Sequence, residues 1–356
     1  RHTRCADVTG VQTCALPIPN RGELHMKRNL IALAVSAAMV APVAAMADVK
    51  VYGIGQVELT QYDPQADGSD SDTDVHDNHG MGRVGVKASE DLGNGMTAIA
   101  GFEFKADSSD NKTGSDASLT GRDSYVGLKG GFGTVMGGRL KSPYKYAGGV
   151  KYDAFVATAL EARGNAGMTA GALGHSSFLS NQLGYSNKFG AVKFDAVYSP
   201  KTDAEVLALA AMYSQGGIEA FFAMIDSSGV DNTPTSNDDY TSMKFGGKFS
   251  TGPHAIMLQY EMSEDSDGGD PVAGAPTSED TTHMFLGYQM KMGMNTLVLQ
   301  YGMLDSDDDT EDGSYLALGA YHNFSKTTSL FGGYRNTDID DDSGETAITV
   351  GMRQKF

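Results

Sequence analysis

The segment AITVGMRQKF, Ala347–Phe356, alternates apolar and polar side chains, with Ile348, Val350 and Met352 on one face of an extended chain and Arg353 on the other. A period of two residues is typical of a β-strand whose two faces meet different surroundings. The same alternation recurs in Val192–Tyr198, Ile256–Met262 and Leu297–Met303. Many such segments in succession predict a sheet with one apolar and one polar surface.

The connectors between these segments alternate between short and long. The short ones, most of which contain Gly, Asn or Pro for tight hairpins, are Leu92–Gly95, Gly130–Gly133, Asn187–Gly190, Gln215–Gly217, Ser250–Pro253, Met292–Asn295 and Ser325–Thr328. The long ones, of which only Pro200–Ala204 is brief, are Asp63–His79, Asp107–Thr120, Lys141–His175, Pro200–Ala204, Ser227–Asp239, Glu264–Thr281, Asp305–Gly313 and Asp338–Thr346. Seven short and eight long connectors separate sixteen strands.

Short turns at one rim and long loops at the other are typical of barrels in the bacterial outer membrane. A soluble β-sandwich or propeller, the alternative, has no reason to sort its connectors by length. The sequence therefore predicts an all-β fold, a 16-stranded antiparallel transmembrane β-barrel.

Composition narrows the classes of function. The 356 residues carry 45 acidic and 27 basic side chains, a formal net charge of −18. This acidic excess argues against nucleic acid as a partner, because the phosphate backbone requires a basic surface. The only long apolar run lies near the N-terminus, so a helical membrane protein fits poorly.

Residues 26–47 have the pattern of a signal peptide. Lys27 and Arg28 follow Met26, an apolar stretch runs from Leu30 to Val43, and Ala45-Met46-Ala47 fits a cleavage site. A membrane anchor is the alternative, but the stretch is short and no stop-transfer pattern follows it. We expect export, and a mature barrel domain over residues 48–356.

Residues 1–25 match no targeting pattern. The stretch VTGVQTCALPI, Val8–Ile18, resembles the translation of a sequencing adapter, so we expect 1–25 to be a non-native leader. Both cysteines, Cys5 and Cys14, lie there, and the expected mature chain has no thiol for disulfide or zinc chemistry. Residues 1–47 carry five basic and two acidic groups, so the mature chain would keep 22 and 43, a net charge of −21.

The run RDSYVGLKGGFGTVMGGRLKSPY, Arg122–Tyr144, resembles the Gram-negative general porins of the neisserial and proteobacterial type. In that family a strand of the form R-x-x-Y/F-V-G-L-K-G precedes F-G-x-x-x-x-G-R and the third loop. The start DVKVYGIG, Asp48–Gly55, and the last strand, which ends at Phe356, are also similar. The resemblance covers Met26–Phe356.

The resemblance implies a homotrimer of barrels in the outer membrane, each a water-filled channel for passive diffusion of small hydrophilic solutes and ions. It implies no cofactor. The family's third loop, which folds into the lumen and narrows the pore, corresponds to Lys141–His175, the longest connector. A long connector without secondary structure is usually functional.

Successive side chains of a strand point to opposite faces, and we call the face that a residue takes its parity. Parity selects the side chains that should face the lumen. Where apolar neighbours point to lipid, the alternate basic residues point inward, which selects Arg83, Lys87, Lys105 and Arg139. The inward orientation of Arg139 assumes that Met136 and Leu140 face lipid. Arg122 belongs to the family motif but has ambiguous parity, which a β-bulge could resolve.

The resemblance implies acidic groups on the third loop opposite this basic wall, and Asp153 and Glu161 are the candidates. Opposed charges would create a transverse field that orients polar solutes; the alternative is that all seven residues are merely hydrated lumen charges. Acidic loops should concentrate cations at the mouth while a basic wall favours anions inside. We expect a weak cation preference that grows at low salt.

Other classes of function fit less well. The Asp-rich connectors Asp305–Gly313 and Asp338–Gly344 lack the calcium-loop pattern, so we expect no metal site, although divalent cations could bridge them to lipopolysaccharide. The histidines are scattered and there is no G-x-S-x-G motif, which argues against an enzyme. A non-conducting surface barrel that acts as adhesin or receptor is the main alternative.

Overall fold

The computed structural model describes residues 47–66, 68–77, 81–106, 119–171, 173–175, 178–200, 205–228, 240–265, 280–307, 311–340 and 343–356. The predicted leader, 1–25, and all but the last residue of the predicted signal peptide, 26–47, lie outside the described residues. The first strand begins at Asp48.

In these described ranges, seventeen strands form one antiparallel sheet. They are β1 Asp48–Pro64, β2 Asp72–His76, β3 Arg83–Gly93, β4 Met96–Ala106, β5 Leu119–Gly130, β6 Gly133–Lys141, β7 Phe178–Phe189, β8 Val192–Tyr198, β9 Glu205–Gln215, β10 Ile218–Ser228, β11 Tyr240–Thr251, β12 His254–Asp265, β13 Asp280–Met292, β14 Asn295–Ser306, β15 Gly313–Asn323, β16 Thr328–Ile339 and β17 Glu345–Lys355.

Strand β1 closes the sheet into a barrel. On one side it pairs with β17, from Ile54 opposite Lys355 to Pro64 opposite Glu345. On the other side its first half pairs with β3 and its second half with β2. The short β2 thus continues the position of β3 beyond an interruption, and the barrel has sixteen strand positions. The predicted 16-stranded antiparallel barrel is confirmed.

The seven short connectors are hairpin turns, as the sequence predicted. The turn from β3 to β4 shows why the short connectors contain Gly and Asn, since Asn94 and Gly95 have φ of 52° and 73°. Two consecutive residues at positive φ match the twist of the flanking strands, and Asn-Gly is the preferred pair for them.

The wall has two chemically different faces. Ile348, Val350 and Leu258 are 56–57% exposed, whereas Gln259 and Glu261, which alternate with the exposed residues of β12, are 4% and 0% exposed. In a closed barrel an exposed apolar face is the outer one, and it would contact lipid acyl chains. The polar face is therefore the inner face.

Residues 142–175 of the third connector include a short α-helix, α1 Pro143–Tyr146, and a 3-10 turn, Gly149–Lys151. Their apolar side chains pack against inward-facing residues of the wall, as in the cluster of Tyr144, Phe155, Leu160, Phe221 and Phe285. No helix in the described part of the chain is both long enough and apolar enough to cross a membrane.

Candidate pore constriction

A β-bulge sets the orientation of Arg122. Phe102 pairs with Ser124 and Phe104 with Gly121, so two residues of β5, Arg122 and Asp123, oppose the single residue Glu103 on β4. An extra residue of this kind re-aims a side chain. Arg122 Nε donates to Glu103 Oε1 at 2.8 Å on the inner face. The ambiguity in its parity is resolved by the bulge.

Glu103 joins three inner-face side chains of the wall. Besides Arg122, Arg83 places Nη1 3.8 Å from Glu103 Oε1, and the Tyr52 hydroxyl donates to Oε2 at 2.9 Å. Glu103 is only 3% exposed. Inward parity selected Arg83 and the family motif selected Arg122, but neither indicated that one buried carboxylate, Glu103, would bridge the two arginines.

The structure also places Lys87 and Lys105 on the inner face of this region of the wall. Lys105 lies directly opposite Arg83 in the β3–β4 register. Lys87 is exposed, with its Nζ 4.8 Å from the centre of the Tyr52 ring. Their inward orientation agrees with the parity argument, while their role in the constriction stays a prediction.

The third connector brings two further cations to this wall. Lys145 Nζ lies 4.1 Å and Arg122 Cζ lies 4.6 Å from the centre of the Phe178 ring. Arg163 Nη2 donates to Glu161 Oε2 at 2.7 Å. A cavity of about 260 Å³ separates wall and connector, lined by Arg83, Arg122, Lys145, Tyr146, Arg163 and Phe178 among others. Sequence reasoning missed both Lys145 and Arg163.

Asp153 does not face this cavity, contrary to prediction. Its Oδ1 accepts from the Phe155 amide at 2.9 Å and from Gln300 Nε2 at 3.1 Å, and its Oδ2 accepts from the Ala162 amide at 2.9 Å. It is 3% exposed, and burial together with the charge of Glu161 raises its pKa to about 6. Asp153 organises the connector because its carboxylate satisfies backbone amides there.

Glu161, the second acidic candidate, pairs within its own connector rather than across the pore. Its Oε2 accepts from the Ala157 amide at 2.8 Å as well as from Arg163. The predicted transverse field between an acidic loop and a basic wall therefore lacks the expected acids on the loop side. A constriction role for Glu161 stays a prediction.

Arg139 lies on the outer face, so its predicted inward orientation is wrong. It pairs with Ser124, on the face of β5 and β6 that carries Val126 and Val135, which are 64% and 46% exposed. Its Nη1 donates to Ser180 Oγ at 2.5 Å. Leu140 is instead 2% exposed, in the inner cluster. The parity argument failed because it placed Met136 and Leu140 against lipid.

A buried polar cluster anchors the connector to β11 and β12. Tyr144 Oη donates to Glu261 Oε1 and contacts Ser242 Oγ at 2.5 Å, while Thr169 Oγ1 donates to Glu261 Oε1 at 2.7 Å. Lys244 lies 4.4 Å from the centre of the Tyr144 ring. We call Tyr144, Thr169, His175, Lys244 and Glu261 the anchor cluster.

His175 has a defined tautomer in this cluster. Its Nδ1 lies 2.9 Å from the Thr169 carbonyl oxygen, which only accepts, so Nδ1 carries the proton. Its Nε2 then accepts from Lys244 Nζ at 2.6 Å. Burial and the charge of Lys244 lower the pKa of His175 to about 3. Sequence reasoning missed this anchor; charged inward positions on β11 and β12 were the available signal.

A second set of wall side chains holds the middle of the connector through its backbone. Arg335 Nη1 donates to the Ala159 carbonyl at 2.9 Å, and Tyr321 Oη donates to the Ala154 carbonyl at 2.8 Å. Gln56 Nε2 donates to the Ala157 carbonyl at 2.6 Å. The connector is thus fixed to several strands, while the face with Lys145 and Arg163 is left toward the basic wall.

A closed barrel with an apolar outer face, a polar inner face and a connector held against the inner wall defines the porin class of outer-membrane protein. A sequence model of the Gram-negative porin family matches residues 32–342. The chain belongs to the Gram-negative porin family, and its location is the outer membrane.

Characterised relatives match part of the chain. The major outer membrane protein P.IB of Neisseria meningitidis serogroup B is 39% identical over 129 residues, 35% of this chain and 37% of that protein. The P.IB protein of Neisseria lactamica is 37% identical over 127 residues, 35% of this chain and 36% of that protein. The matched stretch thus spans little more than a third of these relatives.

Solved structures share the fold over most of the chain. An anion-selective porin from Comamonas acidovorans superposes with a TM-score of 0.72 at 21% identity, covering 87% of this chain and all of that one. OmpF of Salmonella typhi, in complex with daunomycin, gives a TM-score of 0.67 at 13% identity, covering 86% and 97%. At such low identity these similarities establish the barrel fold alone.

Proposed function

We propose that the chain forms a water-filled channel through which small hydrophilic solutes and ions diffuse passively. The observation that carries this proposal is the cavity, lined in part by arginines, between the basic wall and the third connector, inside a barrel whose apolar face is outside. Diffusion requires no bound cofactor and no chemical step. Family membership supports a channel rather than an enzyme.

The third connector narrows the channel in this proposal. It is fixed to β11 and β12 by the anchor cluster and to other strands through Arg335, Tyr321 and Gln56. Solutes would therefore pass on the opposite side, between the connector and the wall that carries Arg83 and Arg122. Uncharged solutes would be sorted there by size.

The charges of this passage favour anions. Arg83, Arg122 and Arg163 line the cavity, while the nearby acids Glu103 and Glu161 are each engaged by an arginine. The acidic outer loops act at a distance and are screened over about 10 Å at 0.1 M salt. We therefore replace the expected weak cation preference by an anion preference that weakens at low salt.

The channel is a homotrimer in this proposal, as the family resemblance implies. Arg139 on the outer face supports a covered surface there, because arginine facing acyl chains costs about 2–4 kcal/mol at the bilayer midplane and less near the interfaces. A second copy of the chain would remove that contact with lipid. Bridging to lipopolysaccharide by divalent cations stays a prediction.

Swelling of liposomes tests the proposal. Vesicles containing the folded chain should swell in isotonic solutions of small neutral sugars, and the rate should fall steeply as the sugar becomes larger. Vesicles with the same lipid and no protein are the control. Swelling no faster than the control, from chain shown to be inserted and folded, would instead favour the non-conducting adhesin or receptor.

A further inference from the structure

Lys145 is carried by α1 of the third connector and reaches the basic side of the cavity. The residue is only 4% exposed. Its Nζ lies 4.1 Å from the centre of the Phe178 ring and 5.8 Å from that of Tyr146. Within the described part of the chain, no carboxylate lies within 4 Å of this ammonium. Aromatic faces attract a cation but do not neutralise it.

The charged groups that face Lys145 come from three elements. Arg83 lies on β3, Arg122 on β5, and Arg163 and Glu161 belong to the same connector as Lys145. The acids near it are already engaged, Glu103 by Arg122 at 2.8 Å and Glu161 by Arg163 at 2.7 Å. Lys145 therefore lies among arginines, and among the described residues it has no carboxylate counter-ion of its own.

We propose that Lys145 is a selectivity-determining residue that takes its counter-ion from the permeating anions, and that its gain or loss of a proton switches the anion preference of the channel. This inference rests on the proposed function, because it requires an open passage. It adds the titratable group that regulates that passage.

The direction of the switch follows from the surroundings of the ammonium. Burial lowers the pKa of Lys145 to about 6, and the charges of Arg163 and Arg122 act in the same direction. Above that pH the amine is neutral; below it the amine is charged. The anion preference should therefore rise as the pH falls through about 6 and decline as the pH increases.

Anions and protons should bind here with positive coupling. An anion between the arginines and Lys145 stabilises the ammonium form, so it raises the pH at which the group loses its proton. By reciprocity, protonation of Lys145 strengthens the interaction with the anion by the same factor. The midpoint of the switch should thus move to higher pH as the chloride concentration increases.

Reversal potentials test the inference. They are measured across a potassium chloride gradient at pH values from about 4.5 to about 8.5, a range that brackets the pKa of a lysine strongly perturbed by burial. For the wild type we expect the chloride-to-potassium permeability ratio to rise about tenfold on acidification, because a unit charge roughly 6 Å from the ion path in water favours chloride and disfavours potassium by about threefold each. Lys145→Met should remain at the low ratio at every pH, and Lys145→Arg at the high ratio.

The two variants separate the possible outcomes. A pH step of wild-type size in Lys145→Arg overturns the inference and places the titrating group elsewhere, with Asp153 as the next candidate. If Lys145→Met does not fold, Lys145→Arg still decides, since it keeps the charge. A wild type that inserts but does not conduct overturns the proposed function instead, so the two failures are distinguishable.

Discussion

Arg122 and Arg139 occur within one family motif, yet they point to opposite faces of the wall. Arg122 is turned inward by the extra residue opposite Glu103. Arg139 shares the outer face of Ser124, and a second irregularity in register follows between β6 and β7, where Gly138 pairs with Gln182 and Leu140 with Leu179. At Arg122 parity fails because a bulge shifts the alternation, whereas at Arg139 it fails because Leu140, taken as lipid-facing, lies in the inner cluster at 2% exposure.

These opposite orientations give a matched pair of variants. Arg122→Ala should lower the chloride-to-potassium permeability ratio by about tenfold, because a cation lost roughly 6 Å from the ion path changes the two permeabilities by about threefold each in opposite directions, and Glu103 keeps one fewer partner. Arg139→Ala should leave the ratio unchanged, because its side chain is outside the barrel. Reversal potentials at one pH and one salt gradient measure both effects.

The comparison is decisive in either direction. An unchanged ratio in Arg122→Ala, with normal folding, would remove the wall cluster from the passage. A larger effect from Arg139→Ala than from Arg122→Ala would show that the assignment of inner and outer faces on β5 and β6 is inverted.

The third connector behaves as an element of its own. Its length and its glycines indicated a functional loop, and its bounds could be predicted because the flanking strands were recognisable. The orientation of its acidic side chains could not be predicted from the sequence. The carboxylates of Asp153 and Glu161 accept hydrogen bonds from backbone amides of the same connector. The charge of a carboxylate suggests a role in the pore, but a nearby buried backbone N–H group needs an acceptor and can bind the carboxylate instead.

Acid should loosen this connector through His175. Its pKa is about 3 in the anchor cluster, whereas a released loop would have a histidine near 6.5. Between these values the released state binds more protons, so the seated state is fully favoured above about pH 6.5 and loses stability as the pH falls toward 3. We expect the Gly149 amide, bonded to Gln259 Oε1 at 2.7 Å, to lose about tenfold or more of its exchange protection at about pH 4 relative to about pH 7.

Hydrogen exchange followed by mass spectrometry, corrected for intrinsic rates, measures this loss. His175→Gln is the matched control, because a glutamine amide can accept from Lys244 and donate to the Thr169 carbonyl without titrating. Its protection should vary little over the same pH range. The same loss in both chains would assign the acid response to another group of the connector.

For the molecule as a whole, sequence predicted the architecture better than the site. Sixteen strand positions followed from alternation and from seven short and eight long connectors, because amphipathic strands and tight turns are local properties. The short strand β2 was not predicted, since it pairs with β1 only after the first long connector folds back. The position of the cavity depends on which part of the wall the third connector contacts. These contacts join residues far apart in sequence, so local sequence patterns do not predict them.

The central claim, that the barrel encloses a water-filled passage, is tested most directly by single-channel recording of the folded chain in planar bilayers. We expect stepwise increases of current whose size grows with the salt concentration. Under a salt gradient, the sign of the reversal potential should be that of a channel that prefers anions. Folded chain that inserts into the bilayer without any current steps would contradict it.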